Sequence, residues 1–117
     1  MKIAKNLTYY KGLFFECLAC LILFIKGYKI LKRDYKDKTT SQIDVVALKN
    51  GVIYLIEVKY RKKFDSSISA ISIGQQKRLQ KSAIMMAKKY KKQVLIDGIF
   101  FSLDYPFYVH KKNIFQF

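Results

Sequence analysis

Four of the eight acidic residues fall inside apolar segments, where a carboxylate is unusual: Glu16, Asp44, Glu57 and Asp97. An unpaired carboxylate among buried apolar side chains costs several kcal/mol or takes up a proton. Such positions therefore predict a compensating partner or a chemical role. The other four acidic residues fall where loops or strand ends are expected: Asp34, Asp37, Asp65 and Asp104.

A hairpin is expected to bring two of these carboxylates together. Ile43 to Leu48 and Val52 to Lys59 are β-branched runs on either side of Asn50-Gly51, and Asn-Gly is a strong hairpin signal. Because the two strands run antiparallel, we expect Asp44 and Glu57 to converge at one end of the pair.

Lys59 completes a set of residues suited to phosphodiester hydrolysis. Side chains alternate along a strand, so Glu57 and Lys59 share one face. Two carboxylates suit Mg²⁺, with Mn²⁺ as the alternative, because Mg²⁺ binds through one or two carboxylates plus substrate phosphate. We therefore predict that Asp44 and Glu57 are metal ligands, and that Lys59 holds or activates the attacking water and stabilises the phosphorane charge.

Each of these residues also has a purely structural interpretation. Glu57 and Lys59 could form an ion pair at the end of a sheet, and Asp44 could cap the hairpin. Glu16 could extend to a helix flank or pair with a lysine. Asp97 precedes a glycine within a strand pattern, which favours a bulge or an edge position.

The charge of the chain favours a polyanionic partner. Lys and Arg number 23 against 8 Asp and Glu, a net charge of +15, although only three of the basic residues are Arg. Cationic surfaces bind nucleic acid by displacing counterions from its backbone. We expect DNA to contact a basic loop from Arg61 to Ser69 and the basic face of a second helix. The candidate DNA-binding residues are Arg61, Lys62, Lys63, Lys77, Arg78 and Lys81, and the candidate auxiliary residues, which would orient water or phosphate, are Gln75 and Gln76.

The periodicity of the chain predicts one α/β domain over residues 1–117. Half of the residues are apolar, which excludes a disordered chain, and this length supports a single core. The order α-β-β-β-α-β-β predicts a mixed sheet flanked by helices. The expected elements are a helix from Thr8 to Lys26, strands over 28–33, 43–48 and 52–59, a helix that carries an apolar stripe from Leu79 to Tyr90, and strands over 94–103 and 107–111.

The cysteines and the apolar N-terminal segment do not favour a zinc site or a membrane span. Cys17 and Cys20 lie on one helix face, and His110 is the single histidine, so two further zinc ligands are missing. Leu13 to Ile25 is shorter than the roughly 20 residues that a spanning helix needs. We expect a buried helix in a cytoplasmic protein, with a peripheral membrane protein as the weaker alternative.

Four ordered blocks resemble successive motifs of the YraN-like endonucleases. The blocks are Gly27-Tyr28-Lys29-Ile30-Leu31, Gln42-Ile43-Asp44-Val45-Val46-Ala47, Glu57-Val58-Lys59-Tyr60-Arg61 and Gln75-Gln76-Lys77-Arg78-Leu79. Asp44 followed by Glu57-Val58-Lys59 resembles the D…(D/E)-x-K signature of restriction-endonuclease-like nucleases. The sequence departs from the family at Ser41-Gln42, where Gly-Glu is usual, and at Asp34, where Asn is usual.

The resemblance implies a fold, a cofactor and an assembly. The YraN-like family is similar to the archaeal Holliday-junction resolvases. This similarity implies an α-β-β-β-α-β core, Mg²⁺ dependence and often a homodimer. Glu16 matches the glutamate of the first helix in this family. The sequence thus predicts a metal-dependent DNA endonuclease of restriction-endonuclease-like fold, acting on branched or repair-intermediate DNA, in which Glu16 assists catalysis. The alternative is a catalytically silent nucleic-acid-binding module of the same fold.

Overall fold

The helices and strands follow the expected order α-β-β-β-α-β-β. The structure is a computed structural model that describes residues 2–36, 42–62 and 71–115. Its elements are α1 (Lys2–Ile25), β1 (Lys29–Lys36), β2 (Gln42–Lys49), β3 (Val52–Arg61), α2 (Ile73–Tyr90), β4 (Val94–Ser102) and β5 (Tyr108–Lys111).

The five strands form one mixed sheet in the order β1-β2-β3-β4-β5. All neighbouring strands are antiparallel except β3 and β4, which are parallel and are connected through α2. Asn50 and Gly51 have positive φ values of 51° and 78°, the conformation of a tight hairpin turn between β2 and β3. The predicted hairpin and the α/β fold class are confirmed.

Each helix covers one face of the sheet. Ala19 and Leu23 of α1 pack with Val45, Ile56 and Ile99 on one face. On the opposite face, α2 packs through Leu79, Ala83 and Met86 against a core that includes Leu55, Ile96 and Phe100. The alternation along β3 follows from the pleat, because successive side chains point to opposite faces. Odd-numbered positions of β3, including Glu57 and Lys59, therefore face the α2 side.

Local signals explain where the helices begin and end. Ser72 caps α2, and its hydroxyl accepts a hydrogen bond from the backbone N–H of Gln75 at 3.1 Å. Gly27 follows α1 with φ of 94°, a left-handed conformation that glycine adopts without cost. Within the described residues, the structure contains no helix with the length and apolarity needed to cross a bilayer.

Strand β1 and helix α1 are longer than the sequence indicated. Helix α1 begins at Lys2, not Thr8, and β1 continues to Lys36. Asp34, which was expected in a loop or at a strand end, lies inside β1 with φ of 53°. Aspartate tolerates the left-handed conformation because its short side chain hydrogen-bonds locally. The carboxylate of Asp34 accepts a hydrogen bond from the side chain of Gln42.

Candidate active site

The four predicted catalytic side chains line one cavity of about 310 Å³. Asp44 lies on β2, Glu57 and Lys59 on β3, and Glu16 on α1. The described pairing between β2 and β3 ends at Val45 opposite Ile56, one residue before the two carboxylates. The site therefore lies where the two strands separate, at the end of the hairpin opposite its turn. Asp44 is therefore far from the turn, and the interpretation in which it caps the hairpin is wrong.

Glu57 is the most enclosed carboxylate of the cavity, with 2% of its surface exposed. Its Oε1 accepts a hydrogen bond from Gln75 Nε2 at 2.6 Å and lies 3.5 Å from Lys59 Nζ. Burial and the neighbouring Asp44 raise the pKa of Glu57 to about 8, although Lys59 and Gln75 act in the opposite direction. Near neutral pH, and without a cation beside it, Glu57 therefore holds a proton.

Asp44 is tied to the strand that carries Glu57. Its Oδ2 accepts a hydrogen bond from the backbone N–H of Val58 at 2.8 Å. Burial raises the pKa of Asp44, and the hydrogen bonds from Val58 and Glu57 offset part of that effect. The carboxyl groups of Asp44 and Glu57 are therefore close neighbours, and each changes the pKa of the other.

Glu16 lines the same cavity from helix α1. Burial, followed by the charges of Asp44 and Asp34, raises the pKa of Glu16 to about 7, while Arg33 lowers it. Glu16 also lines a second cavity, together with Arg33 and Asp34 of β1. Glu16 is therefore close enough to the Asp44 carboxylate for the two charges to interact, and its ionisation changes near neutral pH.

Two buried carboxylate oxygens favour a cation in this cavity. Within the described part of the chain, Glu57 Oε2 and Glu16 Oε1 are enclosed and have no hydrogen-bond partner. Buried oxygens normally have partners, and a bound cation would supply one. The same ranges contain no group of three or more His, Cys, Asp or Glu arranged to enclose a metal. Asp44 and Glu57 are the residues that could hold an ion such as Mg²⁺, which takes one or two carboxylates besides water and phosphate.

Lys11, which belongs to none of the sequence motifs, also lines the cavity. Its Nζ lies 4.7 Å from the centre of the Tyr60 ring. Lys11, Gly12, Phe15 and Glu16 line the cavity together, the spacing of one helix face. Because Lys11 lies five residues before Glu16, and not three or four, helical spacing from Glu16 alone does not identify it.

The first turn of α2 contacts the site, whereas the basic residues predicted to bind DNA are exposed to solvent. Gln75 contacts Glu57 directly. Gln76, the other auxiliary candidate, is not among the described residues that line the cavity. The basic candidates Arg61, Lys62, Lys77, Arg78 and Lys81 are all exposed. Lys63 and most of the predicted basic loop lie outside the described residues.

The prediction for Asp97 was wrong. Asp97 is fully buried in β4, between β3 and β5, and occupies neither an edge nor a bulge. Its Oδ2 lies 2.8 Å from His110 Nε2, and its Oδ1 accepts a hydrogen bond from the backbone N–H of Asn113 at 2.9 Å. These partners, together with Lys26 Nζ at 3.1 Å from His110 Nδ1, compensate the burial. His110, for which the sequence indicated no role, thus connects the side chains of β5 and β4 through Asp97.

Comparisons with known proteins place the site within a shared region. The model of the uncharacterised protein family UPF0102 matches residues 15–101, which contain Glu16, Asp44, Glu57 and Lys59. A UPF0102 protein of Rhodopseudomonas palustris is 40% identical over 72 residues, 62% of this chain and 55% of the relative. One from Sinorhizobium medicae is 36% identical over 70 residues, 60% of this chain and 57% of the relative.

A UPF0102 protein of Parvibaculum lavamentivorans matches over a longer segment. It is 34% identical over 88 residues, 74% of this chain and 65% of the relative. The matched segments thus cover between 55% and 65% of the length of these three relatives. The family model covers well over half of the chain. The chain belongs to the uncharacterised protein family UPF0102, which is the YraN-like family that its four sequence blocks resemble.

Proposed function

We propose that this protein is a metal-dependent endonuclease that hydrolyses phosphodiester bonds in DNA. The observation that carries the proposal is the enclosed Glu57 Oε2, which lacks a hydrogen-bond partner within the described residues, on a side chain that lines the same cavity as Asp44 and Lys59. A structural ion pair would satisfy Glu57 with Lys59 and Gln75 alone. It would not account for a second carboxylate, that of Asp44, beside Glu57 in the same cavity.

Asp44 and Glu57 are the residues that would hold Mg²⁺ or Mn²⁺. An ion held by these two residues would supply a positive charge to polarise a phosphate oxygen and to activate water. The chain supplies the two carboxylates in a fixed arrangement, because Val58 N–H holds Asp44 and Gln75 holds Glu57. Glu57 must release its proton before it can act as a ligand, so binding of the cation depends on pH.

Lys59 is placed to act on the attacking water and on the phosphate. Its ammonium lies 3.5 Å from Glu57 Oε1, and its side chain is 25% exposed. It therefore reaches both the carboxylates and the open side of the cavity. A positive charge at this point orients a water molecule and stabilises the negative charge that develops on the phosphate oxygens. These interactions increase in the transition state, which is the condition for catalysis.

Glu16 is suited to proton transfer in the same cavity. Its pKa of about 7 lies close to neutral pH, where a carboxyl group both accepts and donates protons efficiently. Its position on α1, across the cavity from β3, separates it from the Glu57–Lys59 pair. We assign Glu16 an assisting role rather than a ligand role.

The charge around the site supports DNA as the substrate. Arg61 and Lys62 follow Lys59 along the chain, and α2 carries further exposed basic residues beyond its first turn. The N-terminal end of α2, which contacts the site through Gln75, also favours phosphate because the helix dipole is positive there. Branched or repair-intermediate DNA as the preferred form rests on the family resemblance.

The experiment that tests the proposal is a cleavage assay on several DNA forms. Purified protein is incubated with labelled linear, branched and single-stranded DNA in Mg²⁺, Mn²⁺ or EDTA. We expect cleavage of at least one form with either metal and none in EDTA. DNA binding without metal-dependent cleavage of any form would replace the nuclease with a catalytically silent nucleic-acid-binding module.

A further inference from the structure

Helix α1 carries an apolar stripe on the side that faces away from the sheet. The stripe follows the alternating three- and four-residue spacing of a heptad repeat, and its five large apolar members are each between 54% and 69% exposed. Cys17, at the sixth position, is also exposed. We call this stripe the outer seam. It consists of Leu7, Tyr10, Phe14, Cys17, Leu21 and Phe24.

The outer seam is as large as the largest apolar patch of a typical monomer, and such patches often have a function. The opposite face of α1 is already buried against the sheet through Ala19 and Leu23, so the helix is apolar on two sides. Tyr and Phe side chains each have about 150–250 Å² to bury, and more than half of this area is exposed at three seam positions. The seam therefore presents several hundred Å², at or above the largest patch of a typical monomer.

We propose that the outer seam is an interface with a second copy of this chain, formed by antiparallel pairing of two α1 helices. A strict three-four spacing is the pattern of a two-helix seam, because it keeps one narrow stripe facing a partner helix. From Leu7 to Phe24 the stripe extends about 26 Å. The proposal specifies the surface of a homodimer, and it does not depend on the proposed nuclease activity.

The residues of the seam complement one another about a central point. If two copies cross between Phe14 and Cys17, each large side chain meets one of different shape or smaller size. Antiparallel pairing also places opposite helix-dipole ends together, whereas parallel pairing would stack Phe14 on Phe14. The pairs are Leu7 with Phe24, Tyr10 with Leu21, and Phe14 with Cys17.

The charged groups near the seam are compatible with this arrangement. Arg33 Nη1 donates a hydrogen bond to Cys17 Sγ at 3.0 Å, so its guanidinium would meet Phe14 of the second copy, and such a cation–ring contact is favourable. Two chains of net charge +15 repel each other at low salt. Salt screens that repulsion, so the dimer becomes stronger as salt rises. Binding of the seam to an anionic membrane would become weaker.

Sedimentation velocity tests the proposal on the full chain from 1 to 100 µM protein, in 0.1 M and 0.5 M NaCl. We expect the parent to sediment at about twice the 13.8 kDa of the chain, with tighter association at 0.5 M NaCl. Leu21→Glu should weaken association at least 100-fold, because the new carboxylate would be enclosed only in the dimer. Leu103→Glu is the matched control, since Leu103 is 66% exposed outside the seam.

A compensating variant tests the antiparallel arrangement. Adding Tyr10→Lys to Leu21→Glu should restore association, because only antiparallel pairing brings these positions together. If Leu21→Glu fails to fold by circular dichroism, Phe24→Glu serves in its place, with Leu7→Lys as the compensating change.

Three results would overturn the proposal. The first is a monomeric parent at 100 µM in 0.5 M NaCl, and the second is a Leu21→Glu variant that associates like the parent. The third is a double variant that stays monomeric, which would exclude the antiparallel pairing. A monomeric parent that binds phosphatidylglycerol vesicles through the seam would assign this face to a membrane surface.

Discussion

Replacing Glu57 with Gln should stabilise the metal-free protein more at pH 7.5 than at pH 5.5. The pKa of Glu57 rises from its ordinary 4.5 to about 8 in the folded protein. Between these two values the folded state keeps the proton and the unfolded state loses it. The stability that this proton contributes is fully present below pH 4.5 and is lost as pH rises to about 8. Gln resembles the protonated carboxyl group and does not ionise.

The magnitude follows from the number of protons exchanged. One proton held only by the folded state changes the free energy of unfolding by about 1.4 kcal/mol per pH unit. From pH 5.5 to 7.5 the parent should therefore lose about 2 to 3 kcal/mol relative to Glu57→Gln. Glu57 is 2% exposed, so solvent screening reduces this figure little.

Urea unfolding in EDTA, followed by circular dichroism at both pH values, measures this difference. Asp65→Asn removes a carboxylate elsewhere in the chain and controls for the loss of one negative charge. A difference between parent and Glu57→Gln that is the same at both pH values would show that Glu57 is ionised in the folded protein. That result would refute a proton on Glu57 near neutral pH.

Three further predictions concern DNA affinity and the core. By fluorescence anisotropy, affinity for duplex DNA should fall on the order of 10³-fold between 50 and 200 mM salt if about six phosphates are contacted; a flat salt response would contradict the polyanion interpretation. Asp97→Asn should cost about 1–3 kcal/mol of unfolding free energy, because the two carboxylate oxygens bond His110 and the Asn113 N–H and an amide has only one oxygen. Gly98→Ala should cost about 1–3 kcal/mol, because a Cβ there would lie 2.6 Å from the Phe100 ring. Urea unfolding checks both, and losses below 0.5 kcal/mol would contradict them.

The site geometry was accessible from sequence because local signals determine it. Asn50-Gly51 sets the turn, and the turn sets the strand register that brings Asp44 to Glu57. Alternation along β3 then places Lys59 beside Glu57. These relations involve residues close in the chain and regular backbone, so they follow from pattern alone.

The contacts that sequence reasoning missed connect distant parts of the chain. Gln75 reaches Glu57 across 18 residues, and the placement of that contact depends on how α2 packs on the sheet. Asp97 is compensated by His110 and Asn113, which lie 13 and 16 residues away. An Asp-Gly pair usually indicates a turn or bulge, and only the folded chain shows that partners from beyond β4 satisfy this carboxylate.

The rotation of α1 about its own axis also could not be predicted from the sequence. Apolar residues occur all around this helix, so periodicity could not separate the face that packs on the sheet from the outer seam. The position of Glu16 in the cavity settles the rotation of the helix, since it directs Ala19 and Leu23 inwards.

The most direct test of the nuclease assignment compares DNA binding and DNA cleavage in Asp44→Asn and Lys59→Ala. Asn keeps the shape of Asp44 and removes its charge, and Ala removes the group assigned to the attacking water. One charge in a net of +15 changes binding little, so both variants should bind DNA about as well as the parent. Each should lose at least about 10²-fold in Mg²⁺-dependent cleavage, the scale for deleting one preorganised electrostatic group. Cleavage by Asp44→Asn at the parental rate would contradict catalysis at this site.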